Sequence, residues 1–239
     1  MMMKKLIAIG IAALMQLSSQ AQESVVIDAN VTARTLQEKF DKIRVSGNIN
    51  LVLSQADRAS LAVSASEQKY TADIATVVEN GTLRISWAGG NSWSKNRQLT
   101  VYLGFNQITA IEASGASDVR IVGSIQQDEL KIDLTGASNL RGMLDLKLFV
   151  ISLAGASEAR LNGKAKQLTI NSSGASDVHA YDLAVETCNA SASGASDLKL
   201  KVSEELNAVA SGASHIYYKG EVQKINVKSS GVSKVERRD

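Results

Sequence analysis

Hydrophobic and polar residues alternate in short stretches through the second half of the chain. Apolar side chains lie at even offsets before a series of glycines, as Ile132 and Leu134 do before Gly136. The residues between them are mostly polar. Successive side chains of an extended strand point to opposite faces, so this period of two predicts strands with one buried and one solvated face. The same offsets place Ile225 and Val227 on the buried face of the last copy.

The tripeptide Gly-Ala-Ser marks the end of each of these strands. Successive glycines are 21, 19, 19, 20, 18 and 19 residues apart. A unit of about twenty residues cannot enclose a core alone, so neighbouring units must stack. The sequence therefore predicts an all-β parallel β-helix or solenoid with coils of about 19–20 residues. The glycines are Gly115, Gly136, Gly155, Gly174, Gly194, Gly212 and Gly231, and the last copy reads Gly-Val-Ser.

The three residues of the motif predict a tight corner between two strands. Glycine permits the positive φ that a β-carbon penalises. We expect alanine to fit the inside of the corner. We expect serine, and the acidic or amide residue that often follows it, to hydrogen-bond nearby backbone groups. The seven glycines are therefore predicted to be structural turn residues rather than ligand-binding residues.

Beyond each corner, the solvated face carries an acidic position and, two residues later, a basic one. Stacking aligns these positions into adjacent columns whose opposite charges offset the repulsion within each column. We expect exposed ion pairs worth well under ~1 kcal/mol each. The acidic column is Asp118, Asn139, Glu158, Asp177, Asp197, His215 and Lys234, and the basic column is Arg120, Arg141, Arg160, His179, Lys199, Tyr217 and Glu236.

Residues 40–108 lack the motif but keep short apolar strands at 43–45, 49–53, 61–63, 77–78, 83–85 and 99–103. Asn80-Gly81 predicts a hairpin turn between the fourth and fifth of these strands. We expect irregular coils with longer hairpin-like excursions that cover one end of the solenoid, because an uncovered strand edge invites aggregation. Residues 109–239 form the regular repeats, and residues 40–239 are predicted to be a single domain.

The first residues have the pattern of an export signal. Lys4 and Lys5 precede an apolar run over residues 6–17, and small residues around Ala21 match a signal-peptidase site. We predict a signal peptide over residues 1–21 and a leader over residues 22–39, with no transmembrane segment. Without the signal peptide the chain keeps 24 basic and 24 acidic residues, a balance that does not favour nucleic-acid binding. We expect a periplasmic, outer-surface or secreted protein.

Few residues have the arrangement that catalysis or metal binding requires. His179 and His215 are two coils apart, and Cys188 takes an apolar position, so no catalytic residue, metal site or cofactor is predicted. Trp87, Trp93 and Tyr102 are the candidate ligand-binding residues, since exposed aromatic rings stack on apolar faces of ligands. The alternative is that the tryptophans pack under the glycine-rich loop between them as part of the end cover.

Three motifs of the chain together resemble one known family. They are residues 40–47 (FDKIRVSG) with 49–55 (INLVLSQ), residues 78–85 (VENGTLRI), and the serial Ser-Gly-Ala-Ser-Asp. They resemble the "putative auto-transporter adhesin, head GIN domain" family, a domain of unknown function common in secreted proteins of Bacteroidetes. The resemblance runs from about Phe40 to the C-terminus. It implies a right-handed β-helix located in the envelope or outside the cell.

Three classes of function stay open at this point. The export signal, the rigid repeats and the lack of a catalytic set favour a non-enzymatic envelope protein. Such an adhesin would bind a glycan, another surface polymer or an envelope protein. One alternative is a polysaccharide-processing enzyme, because β-helices often carry such enzymes, although fold alone is a weak guide to function. The other is a purely structural envelope component. The sequence does not indicate an oligomeric state.

Overall fold

The structure, a computed structural model, describes residues 31–90 and 97–238. The predicted signal peptide, Trp93 and Asp239 lie outside the described residues. The described chain forms a short 3-10 helix (Gln68–Thr71) and sixteen strands. The strands are β1 (Thr32–Arg34), β2 (Lys42–Gly47), β3 (Asn50–Gln55), β4 (Ser60–Ala65), β5 (Ile74–Glu79), β6 (Thr82–Trp87), β7 (Leu99–Phe105), β8 (Ala110–Gly115), β9 (Asp118–Leu134), β10 (Asn139–Leu153), β11 (Glu158–Ser172), β12 (Asp177–Ala192), β13 (Asp197–Ala210), β14 (His215–Lys219), β15 (Lys224–Ser229) and β16 (Lys234–Arg237).

Five long strands, β9 to β13, make the regular part of the molecule. The first residues of β9 pair with β3 and its last residues pair with β8, so one continuous strand supplies two sides of a coil. Neighbouring long strands are parallel, and Ile132, Ile151 and Ile170 lie side by side in successive coils. The predicted all-β solenoid is confirmed, with about seven turns at a spacing of about 19 residues.

The apolar face predicted from the alternation forms the core of the solenoid. Ile132, Ile151 and Ile170 are completely buried. The prediction is wrong for the last coil, where Ile225 and Val227 of β15 are 42% and 45% exposed. Each coil is covered by the next coil of the stack. The strand that follows β15, β16, pairs with β14 instead, so the apolar side chains of β15 meet solvent.

The first coils do not stack in the order of the chain. β2 lies between β6 and β8, and β3 lies between β7 and β9. The coil of β6 and β7 is therefore farther out than the coil of β2 and β3, although it comes later in the sequence. The connection from β7 to β8 skips one coil. Alternation defines which face of a strand is buried but not which strand lies beside it, so the sequence predicts these strands without their order.

Antiparallel strands close the N-terminal end of the stack. β5 and β6 form the hairpin predicted from Asn80-Gly81, and both turn residues have the positive φ of a type I′ turn, 49° and 73°. β4 pairs antiparallel with β7, and β1 pairs antiparallel with β4. The Arg34 guanidinium of β1 donates to the carbonyl oxygen of Ile74 and, at 2.8 Å, to Thr76 Oγ1. This side chain joins the outermost layer to the edge of β5.

Candidate ligand-binding face

Each Gly-Ala-Ser corner packs directly on the corner of the neighbouring coil. The amide of Ala175 donates a 2.7 Å hydrogen bond to the carbonyl oxygen of Gly155. Gly174 has a φ of 79°, and a β-carbon on it would lie 2.5 Å from that same oxygen. Glycine is therefore required both by the backbone angle and by the space. All seven motif glycines have a positive φ, and the column begins one coil earlier, at Gly47, on which Gly115 packs.

The expectation that alanine fills the inside of the corner is wrong. Ala175 is exposed, whereas Ser176 is completely buried. The alternation of the strands continues through the corner, so the serine, two positions after the glycine, takes the inward position. Its hydroxyl donates a 3.0 Å hydrogen bond to the carbonyl oxygen of Ser173. The serines of the other complete motifs are buried as well, so they hold the corner from inside and are not accessible to a ligand.

The predicted columns of acidic and basic residues are present, and we call the surface that they form the charged face. The register aligns both columns coil by coil. Arg160 lies 2.6 Å from Glu158, and in the last coil the exchanged pair Lys234 and Glu236 is 3.0 Å apart. These pairs are exposed, so each is worth well under ~1 kcal/mol. They neutralise the face rather than hold the fold together.

A groove of about 490 Å³ follows the middle of the long strands on another side of the coils. Six charged residues from four adjacent coils line it: Asp128, Asp145, Lys147, Lys164, Lys166 and Glu186. Lys147 Nζ lies 2.8 Å from an Asp128 oxygen, and Lys164 Nζ lies 3.2 Å from an Asp145 oxygen. Four of the six charged residues of this groove therefore pair between adjacent coils.

The last residues of β10, β11 and β12, together with the residue after each strand, present a different surface, which we call the neutral face. Its nine outward positions carry no charge. A shallow groove of about 370 Å³ crosses it, and one wall is the in-register column of Ser152, Asn171 and Ser191. The outward positions are Val150, Ser152, Ala154, Thr169, Asn171, Ser173, Asn189, Ser191 and Ser193.

Hydrogen-bonding groups remain available on the neutral face. Within the described residues, the side chains of Ser152, Asn171 and Ser191 have no hydrogen-bond or ion-pair partner. In the coils toward the C-terminus the asparagine side chains bond to one another instead. Asn207 Nδ2 donates to Asn189 Oδ1 at 3.0 Å. Three free polar side chains thus repeat at the strand spacing of about 4.8 Å in one groove. The arrangement can donate and accept hydrogen bonds to a long uncharged ligand.

Sequence reasoning assigned these residues only to the solvated side of their strands. The available signal was the absence of charge at nine outward positions of three consecutive coils, beside columns that carry charge in nearly every coil. The pattern alone could not reveal it as a site. Whether Asn171 is free or bonded to a neighbour depends on the spacing of the coils, which only the structure gives.

The predicted aromatic residues lie in two separate places, and Trp93 is outside the described residues. Trp87 follows Leu83 and Ile85 on the inward side of β6 and packs against the core. The Tyr70 ring meets it edge-on at 6.2 Å, and the Arg97 guanidinium lies 4.5 Å from its centroid. Tyr102 is half-exposed on β7. A ligand-binding role for Trp87, Trp93 and Tyr102 stays a prediction.

The titratable residues singled out in the sequence occupy separate environments. His179 Nε2 lies 3.2 Å from Glu158, and His215 Nδ1 lies 2.9 Å from Asp197, both on the charged face. Cys188 is buried in the core, and this burial raises the pKa of its thiol from 9.0 to about 12. Among residues 31–90 and 97–238, no group of three or more His, Cys, Asp or Glu could hold a metal ion.

Comparisons with known proteins give a family and a fold. The family described as "Putative auto-transporter adhesin, head GIN domain" matches residues 39–222. A "putative adhesin" from Bacteroides fragilis has a similar structure (TM-score 0.79, 20% identity, 88% of this chain and 98% of that chain covered). So do a "putative adhesin" from Parabacteroides merdae and a "putative lipid binding protein" from Parabacteroides distasonis (each TM-score 0.67, 18% identity, 89% and 98% covered). No curated protein matches the chain.

At these identities the solved structures establish the fold and not a ligand. In the part of the chain that the structure describes, no helix is long and apolar enough to cross a membrane.

Proposed function

Because the chain belongs to the "putative auto-transporter adhesin, head GIN domain" family, we propose that it is an exported, non-enzymatic surface-binding protein. In this proposal the neutral face binds an uncharged polysaccharide of a cell surface. The signal peptide predicted over residues 1–21 supplies the export. The neutral face is also distinct from Trp87 and Tyr102, two of the aromatic residues suggested by the sequence.

One observation carries the proposal: Ser152, Asn171 and Ser191 are free, polar and in register along one groove. A polysaccharide presents hydroxyl groups at a regular interval, so a rigid column of hydroxyl and amide groups can bond to several of its units at once. Each such bond contributes only about 0.5–1.5 kcal/mol. Such bonds repeat along several coils, and along several protein molecules on one surface. This repetition raises the total free energy of binding.

The charge distribution favours an uncharged ligand. Many charges on the charged face, and four of the six in the larger groove, are paired with neighbouring side chains. An ionic polymer would have to displace these pairs, whereas the neutral face offers groups with no competing partner. Binding there should therefore depend little on salt.

The lining of the neutral groove supports binding rather than cleavage. Glycoside hydrolysis ordinarily needs two carboxyl groups on either side of the scissile bond. The residues that line this groove include one carboxylate, Asp133, and Lys131 Nζ lies 2.8 Å from it. The remaining polar groups are hydroxyls and an amide, which hold a sugar but do not transfer a proton at neutral pH. A polysaccharide-processing enzyme thus has less support from this groove.

The test uses two asparagines of the same strand. Asn171 lines the neutral groove, and Asn162, also exposed on β11, does not. The protein is incubated with immobilised dextran, mannan, xylan and β-glucan, and with the anionic polymers alginate and hyaluronan. We expect an uncharged polymer to retain the wild type, Asn171→Arg to weaken retention about tenfold, and Asn162→Arg to leave it unchanged. Retention only of anionic polymers, no retention at all, or equal effects of the two variants would overturn the proposal.

A further inference from the structure

The C-terminal end of the stack exposes an unfinished coil. β15 pairs with β13 on one side, and within the described chain no strand pairs with its other side. All six of its residues are exposed. In the preceding coil, the equivalent inward residues Leu206 and Ala208 are buried. A row of unpaired backbone N–H and C=O groups beside exposed apolar side chains is a template for an additional strand.

The opposite end of the stack is finished differently. There β1 and β4 add antiparallel strands to the outermost coil. The Arg34 guanidinium donates to the carbonyl oxygen of Ile74 and to Thr76 Oγ1, and it bonds the Thr71 carbonyl oxygen at 2.6 Å. One of these bonds occupies a backbone oxygen on the outer edge of β5, which pairs with β6 alone. Head-to-tail addition of a second copy along this edge would have to break the Arg34 bonds.

The side chains of β15 determine the chemistry of a strand added to it. Its inward positions carry Ile225 and Val227, and its outward positions carry Lys224, Asn226 and Lys228. The strand has two lysines and no acid. Lys224 Nζ contacts Glu205 at 3.0 Å, and Lys228 has no ion-pair partner among the described residues. A strand added here would bury apolar residues on one face and place its outward residues beside lysines.

The two lysines disfavour one pairing of β15 with a second copy of this chain. Two copies of β15 related by a two-fold axis pair antiparallel, with inward residues opposite inward residues. The register centred on Asn226 then sets Lys224 directly opposite Lys228 of the other copy, and like charges in opposite positions destabilise a pair of strands. Lysines on an edge strand commonly protect against such self-association. The same lysines attract a strand of opposite charge.

We propose that β15 is a docking site for an extended acidic segment of another protein, which adds to the sheet as a further strand. The segment carries apolar residues at alternate positions, packing on Ile225 and Val227. Between them it carries Asp or Glu, beside Lys224 and Lys228. Backbone hydrogen bonds provide affinity, and the charges select the partner. This site is at the end of the stack and is independent of the neutral face.

The probe is a fluorescent ten-residue peptide of alternating valine and glutamate, and its control has lysine in place of every glutamate. Binding is followed by fluorescence anisotropy with the full chain. We expect the wild type to bind the glutamate peptide at least about tenfold more tightly than the lysine peptide. The double variant Lys224→Glu/Lys228→Glu should reverse this preference. Val227→Asp should weaken binding of the glutamate peptide about tenfold, because it buries a charge against the added strand.

A charge-matched control distinguishes an effect of the β15 lysines from an effect of the net charge of the protein. Lys166 and Lys201 are exposed lysines on β11 and β13. Lys166→Glu/Lys201→Glu changes the net charge equally and should keep the preference for the glutamate peptide. Asn171→Arg should also keep it, whatever happens to glycan binding. Equal binding of the two peptides, an unchanged preference in the first double variant, or a wild-type dimer that Val227→Asp abolishes would each contradict the proposal.

Discussion

Leu206 of β13 and Ile225 of β15 are neighbours in register, yet Leu206 is completely buried and Ile225 is 42% exposed. The difference arises because the following coil covers Leu206 and no described coil covers Ile225. Burial of an inward residue therefore depends on the coil after it. This dependence is expected of solenoids, whose stability comes from contacts between neighbouring repeats.

Truncation of these two residues should have unequal effects on stability. Leu206→Ala removes buried apolar atoms and leaves a cavity, which costs about 2–5 kcal/mol. Ile225→Ala removes atoms that are largely hydrated and should cost about 1 kcal/mol or less. Urea unfolding followed by circular dichroism measures both. Equal losses would mean that another molecule or segment covers β15 in solution.

Two glycines allow the cost of the backbone angle to be measured separately from the cost of steric crowding. Gly174 and Gly123 both have a positive φ, 79° and 74°, but a β-carbon on Gly174 meets the Gly155 carbonyl oxygen, whereas one on Gly123 meets nothing within 4 Å. Gly123→Ala should cost about 1–2 kcal/mol from the backbone angle alone. Gly174→Ala should cost about 3 kcal/mol or more, since the corners must also separate, and Gly174→Val should cost still more. If Gly174→Ala and Gly123→Ala melt at the same temperature, the close packing of corners is not a source of stability.

The repeats could be predicted from the sequence because one motif determines both the corner and the buried face. Three features of the structure could not be predicted in this way. Ser176, not Ala175, is the inward residue, because alternation continues through the corner rather than restarting after it. β2 lies between β6 and β8 because the connection from β7 to β8 skips one coil. The alternation of residues within a strand does not indicate which coil the next strand joins. The neutral groove is a third case, because polar residues look alike in the sequence whether bonded or free.

Trp87 is the predicted ligand-binding residue whose environment the structure describes in most detail. Its ring contacts Tyr70 and Arg97 and packs against the core. Trp87→Ala should therefore lower the free energy of unfolding by about 2 kcal/mol, less than a fully buried tryptophan would. Val77→Ala, at an exposed position of the same hairpin, should change it by about 0.5 kcal/mol or less. A stable Trp87→Ala variant that loses binding to a polysaccharide would instead assign the ring to a ligand.

Cys188 should make the stability of the protein depend on pH in alkaline solution. Burial raises the pKa of its thiol from 9.0 to about 12, so the folded protein retains the proton where the unfolded chain loses it. The contribution is fully present below about pH 9 and is lost progressively as the pH rises toward about 12. Cys188→Ala should lessen this decline in urea unfolding at pH 8 and pH 10.5. Iodoacetamide should leave Cys188 unmodified in the native protein at pH 9 and alkylate it in urea, and rapid labelling of the native protein would contradict its burial.

The most direct test of the neutral face is the length of ligand that it recognises. The groove runs from the coil of Asp133 to the coil of Ser191, three steps of about 4.8 Å or about 14 Å in all. Calorimetric titration with oligomers of two to eight units, prepared from the uncharged polysaccharide that the protein retains, should give an affinity that rises to about four units and then levels off. Asn171→Arg should remove this rise and Asn162→Arg should preserve it. An affinity already complete with a single sugar or a disaccharide, or a rise that Asn171→Arg leaves intact, would contradict binding along the stacked coils.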